Sequence, residues 1–130
     1  LAYASGSDIN SFDIYVRSVD PSRAERWQIS HGGGKSPRWS HDGRQLFYLT
    51  RDSLVAVQVS SGPEFAVQSQ HALFSTAGFD TDPRAAYDVL PGDAGFIMLK
   101  LGAAQKSTLR LVMLDDWRAA LADSSTTVRK

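Results

Sequence analysis

An all-β fold of repeated antiparallel sheets is predicted by three observations: apolar segments recurring at near-constant spacing, strands apolar on both faces, and turn-forming residues between them. The recurring segments are Leu1-Ala2-Tyr3-Ala4-Ser5, Leu46-Phe47-Tyr48-Leu49-Thr50 and Phe96-Ile97-Met98-Leu99-Lys100. Each precedes a second strand-like run: Ile14-Tyr15-Val16-Arg17-Ser18-Val19-Asp20, Leu54-Val55-Ala56-Val57-Gln58-Val59-Ser60 and Leu109-Arg110-Leu111-Val112-Met113-Leu114-Asp115. The first segments start at 1, 46 and 96, so the spacings are 45 and 50 residues. A repeat of roughly 40–50 residues is the period of a four-stranded propeller blade. The predicted architecture is a partial β-propeller of about two to three such antiparallel blades, with a short C-terminal helix.

Further elements follow in chain order. Glu25-Arg26-Trp27-Gln28-Ile29-Ser30 reads as an outer strand ended by Gly32-Gly33-Gly34. Pro37-Arg38-Trp39-Ser40 reads as a short inner strand, its proline tolerated near the start. His41-Asp42-Gly43-Arg44 supplies an Asp-Gly turn, the dipeptide favoured in two-residue hairpins. Ala72-Leu73-Phe74-Ser75 is the expected outer strand of the second repeat. Tyr87-Asp88-Val89-Leu90 and Pro91-Gly92-Asp93-Ala94-Gly95 repeat the strand and turn with weaker turn chemistry. Asp116 is placed to cap a helix over 117–122, followed by a polar tail. In Leu46 to Leu49, successive side chains point to opposite faces and all four are apolar. Sheets built from such strands are expected to be covered on both sides. The chain then divides into an incomplete blade (1–34), a complete blade (35–82), an incomplete blade (83–116) and a helix with tail (117–130). Starting in mid-strand with no initiator Met, it reads as part of something longer.

The stretch Ser36-Pro37-Arg38-Trp39-Ser40-His41-Asp42-Gly43-Arg44-Gln45-Leu46-Phe47-Tyr48 resembles the P-x-W-S-P-D-G-[KR]-x-[IL] signature of WD40-like, TolB-type propeller repeats. Leu1 to Ser5 with Phe12-Asp13-Ile14-Tyr15-Val16 resembles the "IAF-x-S … DIYV" half of that repeat, and Gln28-Ile29-Ser30-His31-Gly32-Gly33 its "LT-x-x-GG" ending. Two departures stand out: His41 replaces a proline, and Gly92-Asp93 reverses the expected Asp-Gly. The repeat residues carried by the resemblance are Tyr3, Ile14, Tyr15, Pro37, Trp39, Ser40, Asp42, Gly43 and Tyr48. The resemblance implies a non-catalytic, periplasmic or otherwise extracytoplasmic module that binds a protein partner, as in the Tol–Pal envelope system. Similar repeats also form parts of larger enzymes, namely membrane-anchored serine/threonine kinases and prolyl-peptidase-like hydrolases. The ending Leu114-Asp115-Asp116-Trp117-Arg118 looks most like the kinase-associated kind. In either case the catalytic domain would lie outside this chain.

Composition narrows the partner classes. Fourteen Lys+Arg balance fourteen Asp+Glu, whereas nucleic-acid binding ordinarily needs a basic face; no nucleic-acid partner is expected. No apolar run reaches the roughly 18–20 residues of a membrane-spanning helix. Cysteine is absent, so disulfides and thiolate metal sites do not arise.

No catalytic, cofactor or metal site is expected. Gly32-Gly33-Gly34-Lys35-Ser36 ends like a phosphate-binding loop, but that motif wants a glycine where Ile29 stands and a helix where Pro37 and a strand follow. His31, His41 and His71 share no ligand spacing. Asp80-Thr81-Asp82 lacks the glycine and distal glutamate of a calcium loop. No Gly-x-Ser-x-Gly elbow exposes a serine nucleophile. Trp27, Trp39 and Tyr48 are expected between blades rather than on a recognition surface. Arg17, Arg26 and Arg38 are candidate partner contacts. Fewer than three full blades leave an apolar blade face bare at each end, so self-association is expected.

Overall fold

A computed structural model describes residues 1–7, 11–62, 64–83, 86–101 and 110–115. The described residues form an all-β fold of three antiparallel sheets. The first contains β1 (Ala2–Ser5), β2 (Asp13–Arg17) and β3 (Arg26–Gln28). The second contains β4 (Lys35–Trp39), β5 (Gln45–Leu49), β6 (Ser53–Ser61) and β7 (Phe65–Ser75). The third contains β8 (Tyr87–Val89), β9 (Gly95–Lys100) and β10 (Arg110–Asp115). Within each sheet the strands lie in chain order, each antiparallel to the one before.

The middle sheet is the packing centre, because β5 and β6 are apolar on both faces. Leu46, Tyr48, Val55 and Val57 project towards the first sheet and pack with Ile14, Val16 and Ile29. Phe47, Leu49, Leu54 and Ala56 project the other way and pack with Tyr87, Val89, Phe96 and Met98 of the third. Cross-strand register keeps the two sets apart: Leu46 opposes Val57 and Phe47 opposes Ala56. A one-residue slip would exchange every side chain between cores, so the register is held by two cores at once. The Phe47 and Phe96 rings meet edge to face, 4.8 Å between centroids, an arrangement aromatic quadrupoles favour.

Several expectations are adjusted. The outer strand of the middle sheet is β7, which starts at Phe65 rather than 72, because its added residues pair with β6 through two register shifts. The inner strand β4 begins at Lys35, ahead of Pro37. The Asp-Gly hairpin is not a two-residue turn: Ser40 N donates to Gln45 O at 2.9 Å, and Gly43 N to Ser40 O at 3.0 Å, with Gly43 at φ 70. Such longer loops are built around an ordinary four-residue turn. The face of the first sheet turned away from the second is not apolar. It carries Tyr3 stacked on Tyr15, centroids 5.9 Å apart, with the Arg26 guanidinium 3.7 Å from the Tyr15 centroid. On the side of the third sheet turned away from the second lie Ile97 and Leu99, both half-buried; in the backbone register positions 97 and 99 stand opposite 113 and 111. Among the described residues the one helical element is a 3-10 turn at Pro91–Asp93; the helix expected over 117–122 lies outside them. No helix among the described residues is long and apolar enough to cross a membrane.

Close approach of the first and second sheets depends on Gly34. A Cβ there would sit 2.7 Å from Ile14 Cγ1 and 2.9 Å from Ser30 Oγ, whereas one at Gly62 would meet nothing within 4 Å. Gly34→Ala is therefore expected to cost about 1–3 kcal/mol in urea unfolding through overpacking. Gly62→Ala should stay within about 0.5 kcal/mol of the parent. Equal stabilities for the two variants would refute this account of the sheet contact.

Candidate binding cleft

The connections at one end of the three-sheet stack enclose a cleft of about 510 Å³. Phe12 comes from the β1–β2 connection, Gly32, Gly33 and Gly34 from the β3–β4 connection, and Leu49, Thr50 and Arg51 from the end of β5 and its turn. Lys35 opens β4, and Pro83 arrives from the segment leading to β8. The first two sheets and the link to the third thus contribute to one site.

The glycine loop is fixed from below by Asp13. One carboxylate oxygen, Oδ1, accepts from Gly33 N and from Ser30 Oγ, both at 2.9 Å; the other accepts from Gln28 Nε2 at 3.1 Å. Ser30 is buried and its hydroxyl also accepts from Ile14 N at 2.8 Å. The Gly33 backbone NH, more than any other group, holds the Asp13 carboxyl below its ordinary pKa against the opposing effect of burial; Ser30, the nearby His31 and Gln28 add to it. Gly34 N donates to Phe12 O at 2.7 Å. Two NH groups that a phosphate would need in a glycine-rich cradle are therefore turned inward. Gly32 and Gly33 have φ of 94 and 111, conformations open to glycine at little cost.

Lys35 reaches the cleft because β4 is bulged. Lys35 pairs with Leu49 and Arg38 with Phe47, leaving Ser36 and Pro37 opposite Tyr48 alone. Ser36 takes φ 53, a left-handed conformation costly for a residue with a Cβ. In a regular strand of the same residues, Lys35 would share a face with Trp39. The bulge turns it onto the Arg38 face, where its Nζ donates to Thr81 Oγ1 at 3.1 Å.

The opposite end of the stack carries a second carboxylate latch. Leu90 N donates to Gly95 O at 2.9 Å and Asp93 N to Leu90 O at 3.0 Å, the same pattern as Ser40, Gly43 and Gln45. Asp93 therefore stands in the place of Gly43, fifty positions on, and shares its left-handed backbone at φ 57. Its buried Oδ1 accepts from His41 N at 2.7 Å and lies 2.9 Å from His41 Nδ1. Burial pushes this carboxyl's pKa up, but the His41 hydrogen bonds outweigh it and leave the pKa below the ordinary value. The two departures from the repeat signature thus meet each other, and a proline at 41 would have no NH to give.

The other residues singled out in the sequence are mostly structural. Ile14 is fully buried, and Trp39 packs on the core between the first two sheets. Tyr48 is buried in the same core, its hydroxyl accepting from Gln70 Nε2 at 2.6 Å. Pro37 lies in the bulge, and Ser40 Oγ donates to Asp42 Oδ1 at 2.7 Å within the turn. Trp27 meets Phe65 of β7, centroids 4.8 Å apart. Arg38 lies 4.0 Å from Asp88 on the neighbouring sheet. Asp80 forms a local turn, accepting from Asp82 N at 2.9 Å. No cluster of three metal-ligating side chains occurs among the described residues. The cleft residues Phe12, Lys35, Arg51 and Pro83 were not singled out as a site by sequence reasoning. The glycine run beside Lys35 is the one local signal that points to them.

Both latch carboxyls have pKa values depressed by folding, so each contributes stability above its unfolded pKa, near the ordinary 3.8, and loses it as pH falls through its lower folded pKa. Thermal stability is expected to fall below about pH 4. Asp93→Asn tolerates the same left-handed backbone while removing the charge; it should lower stability at neutral pH by about 1–3 kcal/mol and flatten the acid limb. An Asn variant with the parent's acid limb would show that this latch does not set it.

No family model, curated protein or solved structure was found to match the chain.

Proposed function

We propose that the chain is a propeller-type, non-catalytic module for protein interaction, of the extracytoplasmic TolB-like kind that residues 37–48 resemble. The observation that carries the reading is the repeated meander: a four-stranded sheet packed face to face between two others whose strands run in the same order. Propeller blades cover one another in this way. Further support comes from where the sheets approach. Backbone proximity between sheets is concentrated on the inner strand β4, which lies against β1, β2 and β8. Away from β4 the spacing is filled by large rings, Trp27 on Phe65 and Phe74 near Phe96. Backbones that approach at β4 and are held apart by rings towards β7 are what blades fanning from an axis require. Protein recognition is then expected at the strand-end connections, which vary freely on a rigid scaffold.

The fan is measurable because the chain has no native cysteine to compete with spin labels. Tyr3, Tyr15 and Gln28 form one cross-strand row; Arg38, Phe47, Ala56 and His71 form another. Labels at positions 3 and 38 report the inner separation, and labels at 28 and 71 the outer. The outer distance should exceed the inner by about one or two strand spacings, ~5–10 Å. Equal distances would mean flat stacked sheets and would overturn the propeller reading. For the binding half, panning a random peptide library against the immobilised chain should enrich ligands whose NMR shift perturbations fall on the connections. Failure to enrich any peptide would remove the interaction-module reading.

A further inference from the structure

We infer that the cleft at the end of the stack is a recognition site for acidic, apolar-rich peptide segments, with Lys35 and Arg51 receiving the carboxylates; this names the partner chemistry of the proposed module and rests on that reading. Among the described residues the lining is cationic and carries no carboxylate side chain: its charged members are Lys35 and Arg51. Ion pairs among the described residues join Arg38 to Asp88 and His41 to Asp93, and neither uses a cleft cation. Lys35 is half-buried with the neutral Thr81 hydroxyl at its ammonium, and Arg51 is exposed. A partly desolvated ammonium beside a neutral partner gains more from a carboxylate than a fully solvated one does.

The second observation is the bulge. A left-handed, non-glycine Ser36 costs backbone energy, and its consequence is to bring the Lys35 side chain onto the cleft side of β4. Bulges that re-aim a side chain cluster at functional sites. Phe12 and Pro83 supply apolar wall beside the cations, and a volume of about 510 Å³ holds one or two side chains rather than a folded surface. A peptide alternating large apolar and acidic side chains matches both features. Phosphate recognition is a poorer match, since the Gly33 and Gly34 NH groups already donate inward.

Fluorescence anisotropy on the intact chain tests the assignment, using a short fluorescein-labelled peptide of alternating Phe and Glu and its counterpart with Gln for Glu. The Glu peptide should bind about tenfold more tightly than the Gln peptide, as expected for two charge-assisted contacts. In Lys35→Gln/Arg51→Gln this preference should vanish. Arg51→Gln alone, at an exposed position with no folding role, should lose about threefold. The charge-matched Arg23→Gln/Arg44→Gln variant, altered at exposed positions away from the cleft, should keep the full preference. Absence of any Glu preference in the native chain, or its survival in the Lys35/Arg51 variant, would overturn the cleft assignment. In that case peptides enriched by panning would still leave the module reading standing, whereas a chain that enriches none fails on both counts.

Discussion

The structure depends on a single constraint: the central hairpin of the middle sheet must bury both of its faces. Residues 46–49 and 54–57 alternate between two cores, and every one of them is buried. A sheet apolar on one side is satisfied by one partner layer. This one needs two, so the first and third sheets are required as covers rather than added as decoration. Fully burying a Phe, Leu or Ile side chain contributes on the order of 1.5–3 kcal/mol, and both cores draw on the same two strands. Losing either cover would expose half of the middle sheet.

Hydrophobic burial brings the sheets together but does not fix their positions along the strand direction. That task falls to two carboxylates at opposite ends of the stack. Asp13 holds the loop entering the middle sheet, through Gly33 N and Ser30 Oγ. Asp93 reaches from the third sheet to His41 in the β4–β5 turn of the second. Both accept backbone NH groups that would otherwise face water, and both do so within an element whose geometry is already constrained by turns. Directional hydrogen bonds at the ends of a non-directional core select one alignment among several of similar apolar burial. The His41–Asp93 pair also explains why two irregular turn sequences occur together. A proline at 41 would deprive Asp93 of its shortest described hydrogen bond.

How much was legible follows from where each signal resides. Strands β5, β6 and β9 announce themselves because apolar residues on consecutive positions over a short run leave few options besides a buried strand. Their meander order follows from the tight connections between them. The early part of β7 was not legible: Gln68, Ser69, Gln70 and His71 are polar, and their pairing is dictated by the length of β6 rather than by their own pattern. The left-handed backbone of Asp93 was hidden for a different reason. Gly92 drew attention as the turn residue, yet the slot equivalent to Gly43 falls one position later. The cleft was least legible of all, since its lining comes from four separate connections and becomes a site only when the three sheets are stacked.

The bulge in β4 links the legible part of the molecule to the illegible part. Residues 35–39 read as an alternating strand, and strict alternation would put Lys35 with Pro37 and Trp39 against the first sheet. A lysine stem there would be forced onto the face of Ile14 and Tyr48, in the apolar core between the first two sheets. A bulge of one residue removes that conflict while leaving Trp39 in its core, which is why the signature residues 37–43 and the cleft lysine coexist on one short strand. The strain at Ser36 is thus tied to packing and to site formation together. A regular strand would relieve the strain but turn the charge towards the first sheet, and retention of the charge on the cleft side requires the strain. The same backbone irregularity that makes the core tolerable also makes the cleft cationic.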